Sequence, residues 1–452
     1  MAFNILPIEL NKEIISYLEP DRDICTFRLV CKSANYAVDG DGMSFWRYRF
    51  RQYYALGSTS VSNSRLKKAY QKRRRWLRKG AGVEFKNGQT DHEIKTMEVL
   101  RDLVNESFTG EIYDDEFGRP TCRNLYALKQ FVLSSRNFTD VNRLGPRSAS
   151  LSPQLAALQL MCAHFMLDEK IGTEDVYSFE VSQKAVYESA KVAPIFHGFN
   201  DLQVNMEWVL HALNFFRYHM MRECENTLYV PFHDLSGLQK PLAWKTKLQD
   251  GSHKLGGDWM GTYAYLDRQE IQHIRANPPG FEILMDKNVD SDRAIQCLRL
   301  EFVDNEIIWP ALFERHLKSK PKPHHAKTRA QHKAGSPAIG EPVSFRFEGT
   351  GYDEEKFFAS GWLNPLPPQQ GIPGWQRMTM MKHFHDENGA TDSDYLWAYE
   401  GVVLPGGQMI LGRWWGVDED AAAHEIYSGP FIFWSVDDNQ GMYEETDSEE
   451  YE

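Results

Sequence analysis

The chain has 452 residues, enough for two or three domains, and its 42% hydrophobic and 25% charged residues are typical of a globular protein. A formal net charge of −12 at pH 7 argues against general binding to nucleic acid or to anionic membranes. No apolar run approaches the roughly 18 residues that span a bilayer, and the first residues do not have the pattern of a signal peptide. We therefore expect a cytoplasmic or nuclear protein, or one found in both, with neither nucleic acid nor membrane as a partner.

Six cysteines are scattered along the chain without a C-x-x-C pair, which argues against a zinc site or a disulfide framework. A catalytic cysteine would need activating neighbours. Cys162 has His164 nearby, but side chains two residues apart on a helix face different ways. The sequence also has no nucleotide-binding or hydrolase fingerprint in a suitable context. We therefore predict no catalytic residue, no metal site and no cofactor.

The first predicted elements form a helical hairpin within residues 6–32. Pro7 falls in the first turn of a helix, where its missing N–H costs nothing. Pro20 ends that helix, and Asp21 then favours the start of another. A hairpin of this size is too small to bury a stable core alone. Apolar residues recur at helical spacing in both helices: Leu10, Ile14, Tyr17 and Leu18 in the first, and Ile24, Phe27 and Cys31 in the second.

Leu6-Pro7 with Glu9 is followed by Ile14-Ile15 and Leu18, by the run RLVCK at 28–32, and by Trp46. A generic N-terminal helical hairpin is the alternative, but this motif order resembles an F-box. The resemblance covers about the first fifty residues. It implies a non-catalytic substrate receptor of an SCF-type ubiquitin ligase, bound to a Skp1-type adaptor and through it to a cullin. The adaptor contacts that it implies are apolar: Leu6, Pro7, Ile8, Ile14, Ile15, Leu18, Val30 and Trp46.

Helical patterns continue beyond the predicted F-box at 1–54 and suggest a helical scaffold over 55–225. A strongly basic helix at 65–79 is either a nuclear localisation signal, a patch for an acidic partner, or a solvated linking helix. A later helix at 206–220 carries Trp208 and Phe215 outside its apolar stripe. We therefore expect that helix to be buried on nearly all sides.

From Asp258 onward, nine short runs rich in aromatic and β-branched residues alternate with turn residues and predict strands. The run LPGGQ at 404–408 predicts a tight hairpin turn. The predicted fold class is therefore α+β: an all-helical F-box and helical linker region, followed over 226–440 by a mainly antiparallel β-barrel or sandwich. The nine runs are DWMGTYAYLD, GFEILMD, IQCLRLEFV, PVSFRFEGTGY, KFFASGWLN, GWQRMTMMKHF, DYLWAYEGVVLP, GQMILGRWW and GPFIFWSV.

Two polar segments of the C-terminal part are predicted to be disordered. The basic insertion at 315–337 and the acidic tail at 441–452 contain too few apolar residues to support packing. The insertion carries His324, His325 and His332, and a predicted strand carries His383 and His385 on one face. Both groups are weak alternatives for a metal site, because neither has a complete ligand set at a defined spacing.

Aromatic residues cluster around one guanidinium in the predicted β domain. Strand alternation places Trp397 and Tyr399 on one face, and it places Trp414 and Trp415 on opposite faces beside Arg413. Aromatic side chains with an arginine often form binding hot spots, and arginine pairs well with carboxylates. We predict that these five residues bind the protein substrate, whose identity is unknown. If Arg413 and Trp397 share a face, they form a platform for an acidic peptide. The alternative is a barrel core with Arg413 solvated at its rim.

Three segments, at 361–382, 397–415 and 428–437, look like the tryptophan-rich C-terminal half of fungal-type F-box proteins. A second function stays open, namely a small-ligand-binding or enzymatic β-barrel that the F-box couples to turnover. Barrels of about eight strands can enclose one small ligand. An open, polar barrel interior would favour this alternative, whereas an interior filled by aromatic side chains would favour the substrate receptor.

Overall fold

The computed structural model describes residues 6–19, 21–57, 60–82, 85, 87–135, 138, 151–168, 176–289, 294–303, 309–318, 343–386, 389–417 and 427–437. The chain forms two compact units. The first comprises 1–84, 90–136 and 245–247, and the second comprises 85–89, 137–244 and 248–452. The division at 54 and 225 stays a prediction, and the region 55–225 contributes to both units. Within the described ranges, no helix is both long enough and apolar enough to cross a bilayer.

The described part of the first unit is mainly helical. Its last helix follows a short β-hairpin, and a 3-10 turn at Asp41–Met43 separates its third and fourth helices. The helices are α1 (Ile8–Ser16), α2 (Asp21–Val30), α3 (Lys32–Asp39), α4 (Ser44–Tyr53), α5 (Asn63–Ala81), α6 (Asp91–Asn105) and α7 (Arg123–Ser134), and the hairpin strands are β1 (Ile112–Asp114) and β2 (Pro120–Cys122).

The basic helix α5 is packed into this unit on one side. Arg73 is buried and forms a 2.5 Å ion pair with Glu106 of the loop after α6. Lys67 pairs with Asp39 at the end of α3, at 2.7 Å. One face of the helix is therefore fixed in the unit, and its interpretation as a linking helix with a solvated outer face stays open. Its role as a localisation signal or as a patch for an acidic partner stays a prediction.

The second unit combines helices with a long series of strands. Its described helices are α8 (Pro153–Met161), α9 (Ala163–Met166), α10 (Phe179–Tyr187), α11 (Met206–Met221), α12 (Tyr229–Asp234), α13 (Arg268–Ala276) and α14 (Ala311–His316). A small pair, β3 (Phe196–His197) and β4 (Gln203–Val204), precedes α11. The longer strands are β5 (Asp258–Tyr263), β6 (Gln296–Val303), β7 (Phe345–Tyr352), β8 (Lys356–Pro365), β9 (Gln376–His385), β10 (Thr391–Val403), β11 (Met409–Gly416) and β12 (Ser428–Ser435).

Strands β5 to β12 form a closed antiparallel barrel. Each strand pairs with its neighbour in the chain, and β12 returns to pair with β5, so the sheet has no free edge. The predicted fold class is confirmed, and the sheet is a barrel. The LPGGQ turn is confirmed too: the Gly407 N–H donates to the Leu404 carbonyl at 2.9 Å, and Gly406 and Gly407 both have positive φ.

Eight of the nine predicted strands are present, and the run GFEILMD at 280–286 is the exception. The backbone of Leu284 in this run forms hydrogen bonds to a side chain instead of a neighbouring strand. Gln183 of α10 accepts from Leu284 N–H and donates to Leu284 C=O. Asp286 at the end of the run is buried, and it accepts hydrogen bonds from Tyr187 at 2.8 Å and Gln183 at 2.8 Å. These bonds fix the segment against α10.

Helix α11 is buried on nearly every side, as its composition predicts. Asn205 caps its start, because the side-chain oxygen of Asn205 accepts from the Trp208 backbone N–H at 3.2 Å. The helix packs against α8, α10 and the barrel strands β11 and β12. Its burial places the indole of Trp208 beside the barrel wall, where it contacts Arg413.

The predicted insertion at 315–337 is described only at its start. Arg315 and His316 form the end of α14, and Leu317 is buried, so these residues are ordered, contrary to the prediction. The physical reason is that Leu317 joins Phe313 in an apolar cluster on the outer face of the barrel. The rest of the insertion with its three histidines, and the acidic tail, lie outside the described residues.

Phenylalanine rings that pack over glycines fill the middle of the barrel. A Cβ on Gly361 would lie 2.2 Å from Phe347 Cζ, and one on Gly261 would lie 2.2 Å from Phe433 Cδ1. Both rings are almost fully buried in the main apolar cluster of the barrel. Aromatic side chains thus fill the interior at these positions, because glycine leaves the space that each ring occupies.

We expect any side chain at position 361 to destabilise this packing. Gly361→Ala should lower the free energy of unfolding by about 1–3 kcal/mol, the usual cost of overpacking, since the new methyl would also meet the Thr379 carbonyl at 2.4 Å. Chemical denaturation of the purified chain measures this. Gly257→Ala is the matched control, because its Cβ would meet no atom closer than 3.8 Å. Equal stability of the two variants would contradict the packing argument.

Candidate functional site

The five predicted substrate-binding residues lie on the two sides of one barrel wall. Tyr399 and Trp414 are opposite each other in the β10–β11 ladder and point into the main apolar cluster with Trp397. Arg413 and Trp415 point outward, and the predicted opposition of Trp414 and Trp415 is confirmed. A shared platform of Arg413 and Trp397 does not form, because strand alternation places these side chains on opposite faces.

Trp397, Tyr399 and Trp414 line a cavity of about 380 Å³ at one end of the barrel, which we call the inner cavity. Other aromatic side chains complete its walls, and Lys382 supplies a buried ammonium group. The inner cavity is defined by Tyr263, Lys382, Trp397, Tyr399, Trp414 and Tyr427.

Arg413 and Trp415 line a second cavity of about 460 Å³ on the outside of the barrel, which we call the outer cavity. Its other walls come from the segment between α10 and β4 and from the ends of α13 and α14. The outer cavity is defined by Arg275, Arg377, Glu400, Arg413, Trp415 and Ser428.

The guanidinium of Arg413 is clamped in place. It is 2% exposed, and its Nη2 donates to the carbonyls of Glu188 and Ala193, both at 3.0 Å. Its carbon Cζ lies 4.8 Å from the centre of the Trp208 ring. Burial, together with the charge of Arg275, lowers the pKa of Arg413 to about 10. Arg413 is therefore still charged at neutral pH. It is buried, which contradicts the alternative interpretation of a solvated arginine at the rim.

Two more guanidinium groups share the outer cavity with Arg413. Arg377 Nε donates to Glu400 at 2.7 Å, and Arg275 Nε donates to the Tyr187 carbonyl at 2.8 Å. Burial lowers the pKa of Arg275. Among the described lining residues, these three groups and a lysine face only two carboxylates. The outer cavity thus has an excess of positive charge and suits a carboxylate or a phosphate.

The first unit offers a different surface, because α1, α2 and α3 expose several large apolar side chains. Leu29 is 87% exposed and Tyr17 is 76% exposed. Isolated exposed apolar residues are common, but clusters of them indicate contact with a partner. The apolar surface consists of Leu6, Pro7, Ile8, Leu10, Ile14, Tyr17, Leu18, Leu29, Val30 and Tyr36, all of them exposed or half-buried.

Six of the eight predicted adaptor contacts belong to this apolar surface, and two do not. Ile15 is 0% exposed and Trp46 is 5% exposed, so both are core residues of the first unit. The indole N–H of Trp46 donates to Asp39 at 2.8 Å, and its ring packs against Phe45 and Tyr70. These two predicted contacts are corrected, because the side chains that stabilise the helices are not available to a partner.

Four surface residues were not predicted as contacts: Leu10, Tyr17, Leu29 and Tyr36. The apolar spacing that includes Leu10 and Tyr17 does not distinguish the buried part of the first helix from its exposed part. Ile15, which lies outside that spacing, packs inward together with Asn11. The signal that was available is the excess of apolar residues over what so short a helix can bury.

The family model of the F-box domain matches residues 3–45, which include α1, α2, α3 and the 3-10 turn. The chain is an F-box protein. An F-box implies binding to a Skp1-type adaptor and through it to a cullin. Searches of curated proteins and of solved structures found no match to this F-box protein.

The other sequence candidates do not form a reactive site in the described part of the F-box protein. Burial raises the pKa of the Cys162 thiol to about 12, the opposite of activation. His383 and His385 lie on one strand face, as predicted, with ring centres 5.5 Å apart. Burial lowers the pKa of His383 to about 4. No group of three possible metal ligands occurs among the described residues.

The clamp on Arg413 predicts a structural role for its guanidinium. Arg413→Lys keeps the charge but loses the geometry that reaches both carbonyls, so the free energy of unfolding should fall by about 2–3 kcal/mol. Urea denaturation of the purified F-box protein measures this effect. Arg299→Lys, at an exposed ion pair with Asp258, is the control and should change it by less than about 1 kcal/mol. Full stability of Arg413→Lys would show that charge alone suffices.

Proposed function

We propose that this F-box protein is the substrate-recognition subunit of an SCF-type ubiquitin ligase. The observation that carries the proposal is the apolar surface within the F-box match, which is suited to an adaptor. F-box proteins are typically non-catalytic receptors. In this role the protein holds a substrate near the ubiquitin-loaded enzyme, and proximity increases the rate at which a substrate lysine is modified.

The outer cavity supports a substrate-binding role for the second unit. An acidic or phosphorylated side chain of the substrate would enter a space where guanidinium groups outnumber carboxylates. The indole of Trp415 lies at the same cavity and is half-buried, so it offers apolar contact area beside the charges. Arg377 is already paired with Glu400, which holds its guanidinium in a defined orientation before a substrate arrives.

The small-ligand alternative is supported by a separate observation. The barrel is filled by aromatic rings in its middle, but the inner cavity leaves about 380 Å³ at one end. This volume lies within the range of small-molecule sites. The barrel would then bind a ligand whose presence the F-box couples to turnover.

Adaptor binding tests the F-box half of the proposal. Leu29→Glu places a charge in the apolar surface and should weaken binding to a recombinant Skp1-type adaptor at least about tenfold, because a buried unpaired charge is costly. Titration calorimetry measures the affinity. Tyr126→Glu, at a 61% exposed position of α7 outside the match, is the control. Adaptor affinity that survives Leu29→Glu unchanged would place the contact elsewhere.

Substrate capture tests the second half. Trp415→Ala should weaken capture of the substrate by about 1–3 kcal/mol without affecting adaptor binding, since the indole lines the outer cavity. Affinity purification from cells with a blocked proteasome, quantified by mass spectrometry, compares the captured proteins. Phe281→Ala, at a 62% exposed aromatic of the same unit, is the control. An identical set of proteins with Trp415→Ala would remove the outer cavity as the capture site.

A further inference from the structure

The aromatic walls of the inner cavity are arranged around one indole. The ring centre of Trp414 lies 5.5 Å from that of Trp397, 5.9 Å from that of Tyr263 and 5.4 Å from that of Tyr427. All three pairs are edge-to-face. Aromatic faces carry partial negative charge, so a cavity lined by several of them attracts a cation.

One amino group of the protein already lies against aromatic rings of this cavity, and its burial lowers its pKa. Lys382 is 5% exposed, and its ammonium nitrogen lies 4.3 Å from the ring centre of Phe357 and 5.5 Å from that of Phe384. It also forms an ion pair with Asp353. An anionic ligand that paired with Lys382 would have to displace Asp353. The carboxylate of Asp353 would then lose its positively charged partner. The Lys382–Asp353 pair thus disfavours anions in the inner cavity.

The remaining charges at the cavity are negative. Glu354 and Glu355 line it in the turn between β7 and β8, and both are exposed. Neither glutamate forms an ion pair with a residue that the structure describes. The charges of Lys382 and Asp353 cancel. The carboxylates of Glu354 and Glu355 therefore give the cavity an excess of negative charge. They would draw a cation toward the aromatic walls.

A buried hydroxyl group also faces this space. Tyr399 is 3% exposed and lines the cavity, yet its hydroxyl group forms no hydrogen bond within the described residues. Burial raises the pKa of Tyr399, so the hydroxyl stays protonated and can donate. Buried tyrosine hydroxyls usually have a partner. A ligand with a hydrogen-bond acceptor would supply one.

From the walls, the charges and this hydroxyl we propose that the inner cavity binds an organic cation, either a small free molecule or a basic side chain of a bound protein. The ligand would place its ammonium or guanidinium group against Trp397 and Trp414, near the two glutamates. This site is separate from the outer cavity and from the apolar surface. The proposal therefore does not depend on the role of the protein in a ubiquitin ligase.

Calorimetric titration of the purified full chain with matched probes tests the proposal. Choline should bind at least about tenfold more tightly than 3,3-dimethylbutan-1-ol, its neutral carbon isostere, because only the cation gains from the aromatic faces. N-acetyl-lysine amide and N-acetyl-norleucine amide form a second pair with the same difference in charge. Tighter binding of choline would indicate a free molecule, and tighter binding of the blocked lysine would indicate a side chain.

Variants locate the binding in the cavity. Glu354→Gln with Glu355→Gln should weaken binding of the preferred cation about threefold to tenfold and leave the thermal midpoint unchanged, because both side chains are exposed. Glu301→Gln, at an exposed acidic position on β6, is the control for net charge. The proposal is overturned if each neutral isostere binds as tightly as its cation, if no cation binds, or if Glu301→Gln weakens binding as much as the double variant.

Discussion

The second unit depends on the packing of phenylalanine rings into spaces that glycines leave inside the barrel. Closing eight strands brings their inner faces close together, and two large side chains cannot occupy the same level. Gly261 and Gly361 have no side chain, and the rings of Phe433 and Phe347 occupy the space where one would lie. The middle of the barrel is consequently solid, and the strands around it are held at fixed distances. The inner cavity exists only at the end where this packing stops.

The outer face of the same wall depends on a different constraint. Arg413 is buried between the barrel and α11, and it joins two carbonyls of the connection that follows α10. A buried charge in this position needs hydrogen-bond partners, and the two carbonyls supply them to Nη2, whereas Nε has none within the described residues. Its carbonyl partners fix the connection that forms one side of the outer cavity. The arginine suggested by the sequence as a ligand contact is therefore first of all part of the wall.

Much of this arrangement can be predicted from the sequence, and the failures have identifiable causes. Runs of aromatic and β-branched residues between turn residues correctly predict eight strands. GFEILMD is a run of the same kind, but Gln183, which lies about a hundred residues earlier in the chain, bonds to its backbone instead. The resemblance to an F-box also implies that apolar residues of the first helices contact a partner. It does not separate Ile15, which packs inward, from Leu29, which is exposed, because only the arrangement of three helices decides this. Long-range contacts of this kind leave no local signal in one sequence.

Arg413 and Trp414 are consecutive residues, yet they belong to different cavities, since the wall between the cavities is one strand thick. Substitutions can therefore change either cavity separately. A deletion of one residue within β11 acts differently, because every side chain beyond it exchanges faces. The guanidinium would then enter the aromatic interior while the indole would replace it outside. Insertions and deletions of a single residue in this strand thus disrupt both cavities together, whereas point substitutions can alter the two independently.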